Sequence, residues 1–357
     1  MKTIESEIIN RLRLPLMLLV VLLHSNIKNV LNYKSGGGVI DASNVYTLYG
    51  FISYFFTGVL GRVAVPLFFL ISGYLFFRWA NCFGWSVYKK KIFSRVRTLI
   101  MPFILWNALY ILAFFVISKF SKDEALTIYR NVDVCAILVR LWIDPPCYPF
   151  WFIRDLMVLS ILSIVIYPIL KYGKALVPIL VLVLYLGNLC FSVKGFDGQS
   201  YTFFLLGAYG GIHKWNLPKN CAHPTTKLVS ELSLLYLALG IVETSFRYTD
   251  FSVYIHHLNI LVGIIVFVLF TAYCFNHDIL KIPQRIAGSA FFLFGFHGLF
   301  VKMVRNSIIP ILKPASDTAF LCVFAFDFGV TVAVGVLFYE IAIKCMPKTV
   351  ALFCGGR

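Results

Sequence analysis

Apolar residues along this chain do not alternate with polar ones at a helical or strand period. They come in long, nearly unbroken blocks separated by short polar or charged stretches. A bilayer-spanning helix needs about 20 mostly apolar residues. Ten blocks approach that length: 14–32, 60–79, 98–118, 151–170, 175–192, 201–213, 228–247, 258–275, 287–305 and 319–343, the sixth being the shortest. Strands of a membrane barrel would be about 10 residues long and alternate in polarity. The pattern therefore predicts an all-α integral membrane protein of about ten transmembrane helices. The blocks use most of the sequence, so residues 1–357 are expected to form a single polytopic membrane domain. The first block is followed by His24-Ser25-Asn26-Ile27-Lys28 rather than a small-residue cleavage site, and is expected to remain as a helix.

Two polar intervals are long. Residues 33–59 contain Gly36-Gly37-Gly38 and then an aromatic run from Tyr46 to Phe56. Joined to the second block, that run exceeds a single crossing, which predicts an interfacial or re-entrant helix broken near Gly58 and Gly61. Residues 119–150 close on Asp144-Pro145-Pro146-Cys147-Tyr148-Pro149, where the prolines must stop any helix. Their middle, 124–143, is amphipathic and is expected to lie along a membrane surface.

Composition sharpens this. Of 357 residues 60% are hydrophobic and only 13% are charged, which excludes a disordered chain and argues against a soluble enzyme. The charge is lopsided, 32 Lys+Arg against 16 Asp+Glu. With an even number of spans and the N-terminus inside, 19 of the 32 basic residues fall on inner segments, densest between Arg78 and Arg97. The positive-inside rule then makes both termini cytoplasmic. No soluble basic face exists for nucleic acid. The nine cysteines form no CxxC, so no metal site is signalled; Cys135 and Cys147 share one outer loop and could pair there.

Ionisable residues within spans are costly and mark function. Arg13 and His24 are 11 residues apart. That is close to three turns, so they share one face, separated by about 16 Å along the axis. An arginine that grips phosphates at the inner face and a histidine that handles a thioester or hydroxyl proton suit an acyl-CoA donor with an extended arm. The plainer account is a snorkelling arginine and a helix-packing histidine.

Residues 63–77 read Val-Ala-Val-Pro-Leu-Phe-Phe-Leu-Ile-Ser-Gly-Tyr-Leu-Phe-Phe. Together with Arg13-x10-His24 this resembles acyltransferase family 3, membrane-bound O-acyltransferases of surface glycans. Arg95-Val96-Arg97 before Pro102 is similar to the family's Arg-rich segment, with the second arginine one place early. Trp151-Phe152-Ile153-Arg154-Asp155-Leu156 and Phe294-Gly295-Phe296-His297 resemble two later motifs, with Phe in place of the family's Tyr in the last.

The resemblance implies an O-acyltransferase, acetyl first, in the inner or plasma membrane. Acyl-CoA would be a co-substrate with no tightly bound cofactor. The acceptor would be a sugar hydroxyl of a surface or lipid-linked glycan. Arg13, Arg95 and Arg97 would hold the donor's phosphates. His24 would act as general base or as transient acyl carrier. Arg62, Ser72, Trp151, Arg154, Asp155 and His297 would bind the acceptor or support the site, with Tyr46, Tyr49, Tyr148 and Trp151 stacking on sugar faces. Each has a plainer alternative: Ser72-Gly73 as close helix packing, the Arg95 cluster as positive-inside charge, Arg154–Asp155 as an interfacial ion pair, His297 as a packed core histidine. Asp327 is a lone acid in the tenth block, and His256-His257 is expected at the outer interface. A different class also fits the helix count: a transporter or flippase of a lipid-linked or anionic solute. It would favour inverted repeats, and none is visible.

Overall fold

A computed structural model describes residues 4–27, 47–79, 83–121, 123–216, 219–279 and 281–356. The Gly36–Gly38 stretch, Tyr46 and Cys82 lie outside them. Described residues are helical or in connecting turns, apart from one isolated bridge between Val193 and Phe196. We number the helices α1 (Ile4–His24), α2 (Leu48–Arg78), α3 (Trp85–Phe120), α4 (Val134–Ile143), α5 (Trp151–Gly173), α6 (Leu176–Leu186), α7 (Gly198–Ile212), α8 (Thr226–Phe246), α9 (Ser252–Asn276), α10 (Ala290–Leu312), α11 (Asp317–Cys345) and α12 (Pro347–Phe353).

Each apolar block forms a helix over most of its described residues, although the fifth leaves 187–192 as turn and coil and the first ends its helix at His24. Six helices are long and apolar enough to cross a membrane: α2, α3, α5 with its preceding turn, α8, α9 and α11. This is a multi-pass membrane protein. α6 and α7 have only 11 and 15 residues. α1 and α10 are long, at 21 and 23 residues, but they carry the charges that build the site described below.

Helix starts are set by side chains that accept from the free backbone N–H groups of the first turn. Thr225 caps Leu228, Ser316 caps Ala319, Asp197 caps Gln199 and Asp133 caps Ala136. α1 begins ten residues before the apolar block that predicts it and closes at a turn in which the Ser25 N–H and hydroxyl both donate to Val21 O. The prolines at 145, 146 and 149 end α4 and lead through a 3-10 turn, Tyr148–Phe150, into α5. The 124–143 interval is three short helical pieces, the last being α4, which exposes Leu138, Val139 and Trp142.

One expectation is corrected. α2 is not broken at Gly58 or Gly61; it runs on from Leu48 to Arg78. Instead it widens to a π stretch over Phe55–Leu60 and tightens to a 3-10 turn at Gly61–Val63. The glycines permit contact rather than rupture. A Cβ on Gly58 would sit 2.8 Å from the Tyr54 ring, and one on Gly61 would sit 3.3 Å from Leu19 O of α1. Such π bulges recur at functional sites because they re-aim the side chains that follow; here the next charged one is Arg62.

α1 is the central helix, packed by α2, α9, α10 and α11, and its Leu12, Leu16, Met17, Val20 and Val21 are buried. α2 also meets α7 at backbone distance. A Cβ on Gly207 would lie 1.9 Å from Leu70 O, and one on Gly73 would lie 2.1 Å from Phe204 O. Small residues are how membrane helices approach this closely. Gly207→Val is therefore expected to cost more than the ~1–3 kcal/mol typical of overpacking. A thermal unfolding midpoint in detergent equal to wild type would refute this contact.

Candidate functional site

The His24 end of α1 gathers groups from three other elements. The His24 ring stands edge-on to Tyr148 at 4.8 Å between centroids and lies 5.4 Å from the His297 ring. Lys302 Nζ is 4.5 Å above the Tyr148 ring. Arg62, Lys302 and Arg305 all lie within electrostatic reach of His24. The sequence places these groups 38 to 281 residues from His24; the crossing of α1, α2, α10 and the 148–150 turn brings them together.

His297 is fully buried, and its Nδ1 lies 3.0 Å from Leu293 O. A carbonyl can only accept, so Nδ1 carries the proton and a neutral His297 presents Nε2 as a lone pair. That Nε2 is buried without a hydrogen-bond partner among the described residues. Arg62 and Lys302 are exposed, so the cluster is closed on the His297 side and open on theirs. The chain beyond His24 is pinned. Asn26 O accepts from Arg305 Nη1 at 2.8 Å, Asn26 Oδ1 accepts from the Tyr49 hydroxyl at 3.1 Å, and the Ile27 N–H donates to that hydroxyl at 3.0 Å. Asp327, fully buried on α11, has Thr331 one turn on and Arg305 as its nearby cation.

The remaining predicted residues lie elsewhere. Arg13 is exposed on α1, three turns below His24 and on the same face. Arg95 is half-buried with its guanidinium 5.1 Å over the Phe76 ring, where Lys91 Nζ also donates to Phe76 O. Arg97 is exposed and lines a shallow hollow with Lys348 and Leu352 of α12. Two residues apart on a helix, the two arginines point to nearly opposite faces, and the structure sends one to α2 and the other to α12. Ser72 is half-buried beside the Gly73 contact. Trp151 is half-buried, 6.3 Å from the Phe69 ring.

Arg154 and Asp155 form a buried network of their own. Asp155 Oδ1 accepts from Arg154 Nε at 3.1 Å and Nη2 at 2.9 Å. Its Oδ2 accepts from the Ser200 hydroxyl at 2.6 Å and the Asp197 N–H at 3.1 Å. Arg154 Nη1 donates to Trp142 O and Ile143 O. The pair ties the ends of α4 and α5 to the start of α7. Cys135 and Cys147 are both free thiols, the first exposed and the second buried, so the pairing open to the sequence is not formed.

Lys302, Arg305 and Glu243 are further functional residues with no motif around them, although each is an ionisable residue inside an apolar block and so carries the signal that singles out His24. Asp327 has no local partner in sequence; its neighbouring cation, Arg305, comes from α10.

A family model described as an acyltransferase domain matches residues 7–340, a span that holds every residue of the cluster. The chain belongs to the acyltransferase 3 family. It is 28% identical over 185 residues to the succinoglycan biosynthesis protein ExoH of Rhizobium meliloti (strain 1021), a match covering 48% of this chain and 47% of that protein. The chain thus spans about half the length of that curated relative. No solved structure matches.

Proposed function

We propose that this protein takes an acyl group, acetyl first, from acyl-CoA on the inner side of the cell membrane and places it on a sugar hydroxyl of a surface or lipid-linked glycan. The observation that carries the reading is the convergence on His24 of His297, Tyr148 and three cations, at one end of a helix that presents Arg13 near its middle, three turns away on the same face. In this reading Arg13 meets the donor's phosphates, with Arg95 or Arg97 as a second contact, and the thioester reaches about 16 Å up the same face to His24. His24 removes the acceptor's proton, or carries the acyl group transiently. The negative charge that develops on the acyl oxygen falls in the field of Lys302, Arg62 and Arg305. Both termini inside and ten crossings give this arrangement its sidedness. The relative's role in succinoglycan biosynthesis supports a polysaccharide acceptor.

The test uses purified full-length protein and labelled acetyl-CoA. Saturable binding and transfer to de-O-acylated surface polysaccharide are expected. Arg13→Ala should weaken acetyl-CoA binding by about tenfold or more, as loss of a charge-assisted contact does. Unchanged affinity would remove Arg13 from the donor site, and solute uptake with no acyl transfer would overturn the enzyme reading.

A further inference from the structure

A second buried polar centre lies near the same end of the bundle, where α8 meets α9. Glu243, fully buried in α8, receives three hydrogen bonds. His256 Nδ1 approaches its Oε1 at 2.7 Å, the Tyr54 hydroxyl donates to the same oxygen at 3.3 Å, and Asn259 Nδ2 donates to Oε2 at 2.7 Å. Burying a carboxylate inside the protein is expensive, and helix packing alone would not require it. The arrangement also has directed, unused valence. With Nδ1 held by Glu243, the other ring nitrogen of His256 is the one left to present, and that side chain is 23% exposed. Asn259 has committed its amide N–H to Glu243, yet its Oδ1 is buried without a partner among the described residues. An orphaned buried acceptor calls for a donor.

The centre is linked to His24 through α2. Tyr54 and Arg62 are eight residues apart on that helix, about 12 Å along its axis. Arg62 lies within electrostatic reach of both Tyr54 and His24.

We infer that Glu243, His256 and Asn259 form a saccharide-binding subsite that holds the acceptor glycan beyond the hydroxyl being acylated at His24. A phosphate or carboxylate ligand has no proton to offer Asn259 Oδ1 and would face the Glu243 carboxylate. A polyhydroxyl ligand supplies donors to Asn259 Oδ1 and either a donor or an acceptor to the His256 ring nitrogen. Arg62 then stands between this anchor and the reacting end. Glu243 is a positioning residue, fixing the rings and amide that touch the sugar.

This rests on the proposed function, and the experiment separates the two. Purified full-length protein is assayed with labelled acetyl-CoA and, as acceptor, surface polysaccharide of the source cells stripped of esters by base. His256→Ala and Asn259→Ala are each expected to raise the acceptor KM about tenfold, with kcat within about threefold and the acetyl-CoA KM unchanged. His24→Ala should lose kcat instead. An unchanged acceptor KM in both variants would overturn the subsite, as would a fall in kcat with both KM values held, which would place the centre in the chemistry. A rise in both KM values with a lowered unfolding midpoint would make it structural and also overturn the subsite. Wild-type protein that transfers nothing from acetyl-CoA would overturn the functional reading, and the subsite with it.

Discussion

Replacing His24 by alanine is expected to lower acyl transfer by about a hundred- to ten-thousandfold, the range a positioned general base contributes. The geometry explains why no neighbour should substitute. His297 is the nearest imidazole, 5.4 Å away between ring centroids. It is fully buried, with Nδ1 engaged by Leu293 O, so it is not free to swing into the place of His24. Tyr148 packs edge-on against His24 and beneath Lys302, which leaves its ring as a wall of the cluster. The measurement is acetyl content per repeat of surface glycan, by mass, in cells carrying either form. Purified protein with labelled acetyl-CoA provides the second readout. Full glycan acylation by His24→Ala would sink the central assignment. If His24 is the acyl carrier, acid-quenched wild-type protein should retain label that the variant does not.

Asp155→Ala should do something different: destabilise the protein by about 3–5 kcal/mol, as removal of one partner of a buried ion pair does. Asp155 is fully buried and Arg154 is 4% exposed, so screening by water does not reduce the effect. Loss of the carboxylate strands the Arg154 Nε and Nη2 donors, the Ser200 hydroxyl and the Asp197 N–H together. Thermal unfolding in detergent should show a lowered midpoint, and the protein should accumulate poorly in membranes. Asp155→Asn keeps the volume and an acceptor oxygen and should fall between wild type and the alanine variant. The sequence left two roles open for this pair, an ion pair or an acceptor contact. A stable Asp155→Ala protein with a raised acceptor KM would decide for the acceptor contact; a destabilised one decides for the clamp.

The two expected results differ in kind because the two sites were legible to different degrees. Arg13 and His24 could be paired from spacing alone, because 11 residues of α helix return to the same face wherever the helix sits. Arg95 and Arg97 show the same rule working the other way. Grouped by their nearness in sequence, they diverge to α2 and α12 because two residues of helix turn them nearly to opposite sides. The continuity of α2 was not legible. Gly58 and Gly61 read as breakers, whereas the structure uses them to admit the Tyr54 ring and the α1 backbone. A glycine's meaning depends on what lies against it, and that is a fact about other segments.

By itself, then, the sequence determined what depends on each segment's own composition. It set that the apolar blocks fold as helices, where prolines at 145, 146 and 149 must end one, and which face carries both Arg13 and His24. Hydrophobic length and helical period are local properties, and no partner is needed to read them. Only the tertiary structure decided that His24 meets His297, Tyr148, Lys302 and Arg62, that Asp327 lies by Arg305, and that Glu243 is bound by His256 and Asn259 across two helices. Those meetings depend on how the helices cross, and the crossings are set by shape at their contacts. At Gly73 and Gly207 that shape is the absence of a side chain, which lets α2 and α7 touch backbone to backbone.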